Sequence, residues 1–329
     1  MKRHLHAPCV GVVIIGRNEG ERLVAALGSV RTNAHAVVYV DSGSIDGSVT
    51  AAQQAGAYVV RLEMTKPFTA ARARNAGFAM LREREQSVEL VQFIDGDCEL
   101  AAGWLEVAIA FLLANPKVAL VCGRRRERYP EQSIYNKLCD MEWNTPIGKT
   151  QECGGDFLVR VNAFREAGGF SEWMIAGEEP ELCARLRGAG WKIWRIDAEM
   201  TRHDANILHF RQWWRRSVRS GYAYAALSWL HGSGPDRLGK RHIKSAVIWG
   251  CALPAIIALG MAFYVPIIAG GAVYLLQIFR IALRSAQKGN ASILYAGFVM
   301  LGKFAEFAGI AKFVAARIRR REQALIEYK

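Results

Sequence analysis

The 329-residue chain has no internal repeat and no low-complexity tract, and none of the common nucleotide fingerprints. No G-x-G-x-x-G follows its first apolar run, which argues against a dinucleotide-binding turn, and the absence of G-x-x-x-x-G-K-[ST] argues against a P-loop. Cysteine is sparse and scattered: Cys9, Cys98, Cys122, Cys139, Cys153, Cys183 and Cys251 form no C-x-x-C pair, and their number is odd. This argues against a disulfide framework or a zinc site and for a reducing compartment. The first apolar run, Val10–Ile15, is short and gives way to Arg17-Asn18-Glu19, so it reads as a strand rather than a signal peptide. Acidic residues are outnumbered, Asp+Glu 30 against Lys+Arg 43, for a formal charge of +13. That excess fits nucleic acid, anionic lipid or phosphorylated substrates.

What is present points to an α/β fold and to a membrane segment. Hydrophobic residues make up 51%, and the mean hydropathy is slightly positive. Apolar runs at Val10–Ile15, Ala36–Val40, Tyr58–Leu62, 91–95 and Val118–Cys122 alternate with helical patterns near 20–30, 47–56, 69–86 and 103–114. Asp46 or Ser44 can cap the second helix. The alternation predicts a doubly wound, mainly parallel sheet, whose ligands bind beyond the carboxyl ends of the strands. Asn18-Glu19, Asp41 and Asp95-Gly96-Asp97 all fall at such ends. Asp95 and Asp97 repel each other unless a positive group stands between them, and a hard divalent cation, Mg²⁺ or Mn²⁺, is the usual answer. An Asp-Gly turn with two solvated acids is the plain alternative.

The order of these motifs resembles glycosyltransferase family 2, the inverting nucleotide-sugar transferases of GT-A fold, in their membrane-associated bacterial form. The likeness covers about residues 10–205. It rests on Ile14-Ile15-Gly16-Arg17-Asn18-Glu19, Val40-Asp41-Ser42-Gly43-Ser44-Ile45-Asp46-Gly47, Ala73-Arg74-Asn75-Ala76-Gly77 and the D-x-D of Asp95-Gly96-Asp97. The resemblance implies a donor site of Asn18, Glu19, Asp41, Arg74, Asp95 and Gly155. Within it Asp41 meets the base, Arg74 the nucleotide side of the cleft, Asp95 the ribose, and Asp97 the metal on the diphosphate.

Residues 123–150, with Arg124-Arg125-Arg126, Tyr129, Tyr135 and Trp143, read as an irregular basic and aromatic segment: a solvated surface or an acceptor wall. Gly154-Gly155 would allow close approach of a sugar or phosphate. Glu178-Glu179-Pro180-Glu181 opens a helix. Proline suits the first helical position, and acids there stabilise the dipole. In the family the second acid of a Glu-Asp pair at this place is the general base, which implies Glu179, with Glu178 and Glu181 as rivals; the family residue is usually Asp. His203 matches a position that commonly contacts metal or diphosphate.

The C-terminal third reads as a membrane anchor. Phe210–Leu230 is a helix with Arg211, Arg215 and Arg219 in a stripe and Trp213 and Trp214 beside it, a pattern suited to lipid headgroups. No recognised nucleic-acid motif accompanies it, so nucleic acid is not expected as a partner. Ser245 to Phe279 carries no charged side chain, and basic residues flank both ends, which predicts a transmembrane hairpin turning near Pro266 with both ends cytoplasmic. The segment 291–316 contains Lys303, Glu306 and Lys312 and is expected to lie at the interface, because charge inside a membrane is costly. The expected organisation is 1–209 catalytic domain, 210–244 basic interfacial helix and linker, 245–283 transmembrane hairpin, and 284–329 interfacial helix and basic tail. The expected activity is transfer of a sugar from a nucleotide diphosphate sugar to a lipid-linked acceptor, such as a polyprenyl-linked saccharide, at the cytoplasmic face of the cell inner membrane. A metal-dependent nucleotidyltransferase and a non-catalytic scaffold for anionic lipid are the alternatives.

Overall fold

The computed structural model describes residues 8–234, 236–262, 267–285 and 291–319. The chain forms two compact units, Met1–Pro130 with Glu142–Asn206, and Glu131–Met141 with Ile207–Lys329.

The first unit is built on one nine-stranded sheet. Its strands are β1 (Val10–Gly16), β2 (Ala36–Asp41), β3 (Tyr58–Arg61), β4 (Leu90–Asp95), β5 (Cys98–Leu100), β6 (Val118–Glu127), β7 (Gly148–Thr150), β8 (Phe157–Arg160) and β9 (Lys192–His203). The order is β3-β2-β1-β4-β8-β6-β9-β5, with β7 on β9. The helices of this unit are α1 (Glu21–Val30), α2 (Ser48–Gln54), α3 (Ala70–Arg84), α4 (Trp104–Ala114), α6 (Val161–Glu166) and α7 (Glu178–Gly188). The helix α5 (Ile134–Trp143) has most of its length in the second unit.

β1, β2, β3 and β4 are all parallel, because each crossover between them carries a helix or a loop long enough to return the chain. β2 and β4 flank β1 on opposite sides, so the winding reverses at β1, and ligand crevices form at such a reversal. The register fixes the consequence. Ile15 pairs with Asp95 and Gly16 with Asp41, which places both aspartates at one carboxyl edge. The remaining strands add antiparallel pairs, β4 with β8, β8 with β6, and β5 and β7 with β9.

Valine and isoleucine fill both faces of the central strands. Phe93, Phe157, Phe164 and Phe170 form one aromatic cluster, with ring centroids 5.2 to 6.1 Å apart. Gln92 is fully buried and satisfied: its Oε1 accepts from Trp104 Nε1 at 2.8 Å and its Nε2 donates to the Phe93 carbonyl at 2.8 Å. Gly77 lets α3 lie close on β1 and β2, since a Cβ there would strike Val13 and Val40.

Four local expectations are corrected. The segment 123–150 is not irregular: β6 runs on to Glu127 and α5 occupies 134–143. β9 is twelve residues long and reaches His203 rather than ending near Ile196. Pro180 is the third residue of α7, still inside the turn whose N–H groups lack helical partners. Neither Ser44 nor Asp46 is the N-cap of α2, which is Gly47; Asp46 still serves this end, accepting from Ser48 N at 2.9 Å.

The second unit is helical: α8 (Phe210–His231), α9 (Lys240–Val247), a π-helical turn (Ile248–Ala252), α10 (Leu253–Ala262), α11 (Ile267–Arg284) and α12 (Ser292–Ile318). α8 packs along α12 through glycine. A Cβ on Gly221 would strike the Glu306 backbone, and one on Gly309 the Val218 and Tyr222 backbones, so the helices approach as closely as small-residue packing allows. Tyr222 meets Phe313 edge-on at 5.2 Å, and Trp213 meets Phe298 at 5.0 Å. Arg211 and Arg215 are exposed on α8, while Trp213 is buried.

Among the described residues two helical stretches are long and apolar enough to cross a membrane, Lys240–Gly260 and Ser292–Ile318. α11, the expected second arm of the hairpin, is not among them, and the expected turn at Pro266 lies outside the described residues. Ile256, Leu259, Leu275, Leu276 and Phe279 point outward, an arrangement costly in water and neutral in hydrocarbon. In α12 Lys303 Nζ pairs with Glu306 at 2.8 Å, and both side chains are nearly covered.

Candidate active site

The loops after β1 and β2 are stitched together. Asn18 takes the left-handed conformation, φ 55°, which asparagine tolerates better than most residues. Its backbone N–H donates to Ser44 Oγ at 2.9 Å, and its Oδ1 accepts from Ile45 N at 2.8 Å. Asp41 is buried at the end of β2. Its Oδ2 accepts from the Gly43 and Ser44 backbone N–H groups, each at 3.1 Å, and Tyr39 donates to its Oδ1 at 3.2 Å. Asp41 thus shapes its own loop. Glu19 lies beside Gly96 and pairs with Arg22 at 2.8 Å.

Arg74 organises the next layer. It projects from α3, almost wholly buried, and its Nη2 donates to Asp95 Oδ1 at 2.7 Å while its Nη1 donates to Glu178 Oε1 at 2.8 Å. The guanidinium also faces the Phe170 ring at 5.5 Å. Asn75 follows and secures the same corner: its amide both donates to and accepts from the Phe170 backbone at 2.9 Å. Burial alone would raise the Asp95 pKa, but Arg74 and Arg125 outweigh it and bring the carboxyl down to about 2. Asp95 is therefore an anion, held from beneath and partly open to solvent.

Asp97 and His203 meet because β5 follows Asp97 directly and pairs with the end of β9, setting Cys98 opposite His203. Asp97 Oδ2 is 3.2 Å from His203 Nε2. Burial, reinforced by the Arg125 charge, lowers the His203 pKa to about 4, so the ring is neutral. Its Nδ1 is buried, 4.0 Å from Glu127 Oε2 and without a hydrogen-bond partner, and the Trp143 ring lies edge-on at 4.9 Å. A carboxylate and a neutral imidazole suit a divalent cation. Their separation matches adjacent corners of an octahedron with bonds of about 2.1 Å, whose edge is about 3.0 Å. Cys98 is the third donor within reach. Its thiol is pushed up by burial and stays protonated, and sulfur is a poor ligand for Mg²⁺ or Mn²⁺.

Gly155 closes the site. A Cβ there would stand 2.9 Å from Arg74 Nη2, 3.0 Å from Asp95 Oδ2 and 3.3 Å from Arg125 Nη2. The adjoining Asp156 is fully buried. It forms an ion pair with Arg125 at 2.6 Å and accepts hydrogen bonds from Thr201 at 2.8 Å and from the Asp95 backbone N–H at 3.1 Å. Asp156 and Arg125 were not among the residues expected here. The signal for Arg125 lay in the period of two: once β6 is carried to Glu127, Arg125 and Glu127 share a face, one reaching the aspartates and the other His203.

The three acids opening α7 have different surroundings. Glu178 is paired with Arg74, and Glu181 with Arg185 at 2.6 Å. Glu179 pairs with no cation among the described residues. Its Oε1 accepts from the Cys153 backbone N–H at 2.5 Å and from the Cys153 and Cys183 thiols at 3.0 and 3.3 Å. Burial, with the nearby Glu152 charge, pushes its carboxyl up to about 7. A carboxyl poised there can take and release a proton. The structure therefore brings Asn18, Glu19, Asp41, Arg74, Asp95, Asp97, Gly155 and His203 to the carboxyl edge and sets Glu179 beside Glu178, the Arg74 partner.

Residues 11–174 match Glycosyl transferase family 2. The chain is 24% identical over 255 residues to Glycosyltransferase AglE of Haloferax volcanii, covering 74% of this chain and 80% of that protein. It is 25% identical over 231 residues to the O-antigen chain rhamnosyltransferase RfbN of Salmonella typhimurium, covering 64% and 70%. Among solved structures the mannosyltransferase PcManGT of Pyrobaculum calidifontis, in complex with GDP-Man and Mn2+, superposes with a TM-score of 0.59 at 19% identity, covering 90% of this chain and 88% of that one. That likeness shows the fold, the mixed and mostly parallel α/β sheet of the GT-A enzymes. The chain is a glycosyltransferase, and its residues 11–174 form a glycosyl transferase family 2 domain.

Proposed function

We propose that this enzyme transfers a sugar from a nucleotide diphosphate sugar to a hydroxyl of a lipid-linked acceptor, with inversion at the anomeric carbon. The observation that carries the reading is the Asp97–His203 pair at the carboxyl edge, beside an Asp95 held ionised by Arg74. Asp97 and His203 would hold Mg²⁺ or Mn²⁺, and PcManGT in complex with GDP-Man and Mn2+ supports that assignment. The cation would neutralise charge on the leaving diphosphate. Asp95 and Asp41 would accept hydrogen bonds from ribose and base, and Gly155 would leave room for the donor beside Arg74. Glu179 would take the proton of the acceptor hydroxyl as that oxygen attacks the anomeric carbon and the bond to the diphosphate breaks. Glu178 and Glu181 are each paired with an arginine, whereas Glu179 pairs with no cation among the described residues, and burial raises its carboxyl to about 7.

The acceptor follows from location. Lys240–Gly260 and Ser292–Ile318 supply membrane spans, their basic flanks face the cytoplasm, and the arginine stripe of α8 meets anionic headgroups. The charge objection to a spanning 291–316 weakens once Lys303 and Glu306 are paired and covered. A membrane enzyme using a soluble donor is best matched by a polyprenyl-linked saccharide at the inner membrane, and RfbN, an O-antigen chain rhamnosyltransferase, supports a cell-surface polymer.

Thermal unfolding of the detergent-solubilised protein with UDP-, GDP-, CDP- and dTDP-sugars, each with and without Mn²⁺, tests the donor site. A ligand at a hundred times its Kd adds about 2.7 kcal/mol. One nucleotide sugar should stabilise only with metal, and Asp97→Asn should abolish the effect. Stabilisation that ignores metal, or survives in Asp97→Asn, would remove Asp97 from its role.

A further inference from the structure

Scattered cysteines without a C-x-x-C spacing argue against zinc, but folding overrides spacing. Cys153, in the loop before β8, and Cys183, on α7, come within 3.6 Å of each other through sulfur. Glu179, one turn before Cys183, turns its Oε1 toward both, 3.0 Å from Cys153 Sγ and 3.3 Å from Cys183 Sγ. Three ligand atoms thus form a compact triangle with edges of 3.0, 3.3 and 3.6 Å. Tetrahedral zinc, with Zn–S about 2.3 Å and Zn–O about 2.0 Å, needs edges of about 3.5 to 3.8 Å. The cluster reaches that geometry with shifts of a few tenths of an ångström.

We propose that Cys153, Cys183 and Glu179 form a second metal site, selective for zinc and similar thiophilic cations, whose occupation inhibits the enzyme. The two sites sort metals by donor chemistry. Asp97 and His203 offer oxygen and nitrogen to a hard cation, whereas two sulfurs and one carboxylate oxygen favour a softer one. Cys183 and Glu179 are buried, and Cys153 is only partly exposed, so the site opens on one side, where water would complete a tetrahedron. Binding stands on this geometry alone. Inhibition rests on Glu179 as the base, because a carboxylate bound to zinc cannot accept the acceptor's proton. Zinc bound at this cluster would therefore inhibit without competing with Mg²⁺, and the loss of that inhibition in the cysteine variants separates it from zinc at Asp97 and His203.

The test uses the full-length protein in detergent, kept reduced with a non-chelating phosphine. Co²⁺ serves as the probe, because thiolate ligation produces a near-ultraviolet charge-transfer band that oxygen and nitrogen ligands do not. The band should appear, be displaced by equimolar Zn²⁺, and vanish in Cys153→Ser and in Cys183→Ser while persisting in Cys98→Ser, which leaves both proposed sulfurs in place. In a Mg²⁺-driven assay, Zn²⁺ should inhibit reversibly and excess Mg²⁺ should not relieve it. The Cys153→Ser/Cys183→Ser variant should need at least about tenfold more Zn²⁺ for half-inhibition, each variant scored against its own zinc-free rate. A missing band, or one that survives in the Cys153 and Cys183 variants, overturns the site. A band that behaves as expected while Zn²⁺ leaves turnover untouched keeps the site and removes Glu179 from its role as base.

Discussion

Arg74 Nη2 donates to Asp95 Oδ1 at 2.7 Å, and this contact joins α3 to the carboxyl end of β4 at the entrance to the site. Its other terminal nitrogen holds Glu178, so one buried cation neutralises two acids on two different elements. Replacing it by Met leaves both carboxylates without their partner. Breaking a buried pair from one side costs about 3–5 kcal/mol, and Arg74→Met should lower stability by that order in thermal or denaturant unfolding. Adding Glu178→Gln should recover part of the loss; a double variant as unstable as the single one would show that the charge on Glu178 is not the cause.

Gly155 is needed for the space it leaves. Its φ is not in the left-handed region, so alanine brings no backbone strain, yet its Cβ would press on Arg74, Asp95 and Arg125 together. Gly155→Ala should cut kcat/KM by about 10- to 100-fold, the scale set by ångström-sized misplacement of a reacting geometry, with only a small change in melting temperature. Unchanged kinetics would show that the cluster gives way freely.

The Glu179 carboxyl, raised to about 7, sets the acid limb of the pH profile. The base works deprotonated, so kcat should rise tenfold per pH unit below about 7 and level off above it. Glu179→Gln should lower kcat by about 10²- to 10⁴-fold while metal-dependent nucleotide binding persists. Stability runs the opposite way. A carboxyl with a raised folded pKa favours the folded state when protonated, so its contribution is complete below the unfolded pKa of about 4.3 and is lost as pH rises through about 7. The difference in melting temperature between wild type and Glu179→Gln should follow that course.

Gly309 tests the helix packing. Leucine there would drive a side chain into the Val218 carbonyl and the Tyr222 amide of α8, whereas a Cβ on Gly271 of α11 would meet nothing within 4 Å. Gly309→Leu should lower the melting temperature in detergent by several degrees, and Gly271→Leu should not. Equal melting curves would refute close packing at Gly309.

The strands were readable because β1, β2 and β4 are buried on both faces and are therefore largely apolar runs, rich in Val and Ile in β1, in Val in β2, and in Leu, Val, Phe and Ile in β4. The D-x-D aspartates, Asp41 and Arg74 were readable for a related reason: charge standing at the end of such a run, or on the helix beside it, is hard to explain as surface. Arg125 and Asp156 were not. A triple arginine has the composition of a solvated segment, and only the extension of β6 past Cys122, with its irregular register against β9, turns Arg125 inward. Pairing of β5 with β9, which carries His203 to Asp97, depends on two segments distant in the chain and leaves no local pattern.

The sequence by itself determined the α/β class, the edge at which the acids collect, the family, and the apolar character of the C-terminal third. Periodicity and motif order are local properties, and burial of strands and helices leaves its mark on every second or every third to fourth residue. The tertiary structure decided which acid of α7 is free of a cation, which arginine holds Asp95, and that Cys153 and Cys183 share one carboxylate. Those outcomes depend on distances between elements separated by long stretches of chain, and side-chain contact across such separations is set by packing and register, to which composition and spacing are blind.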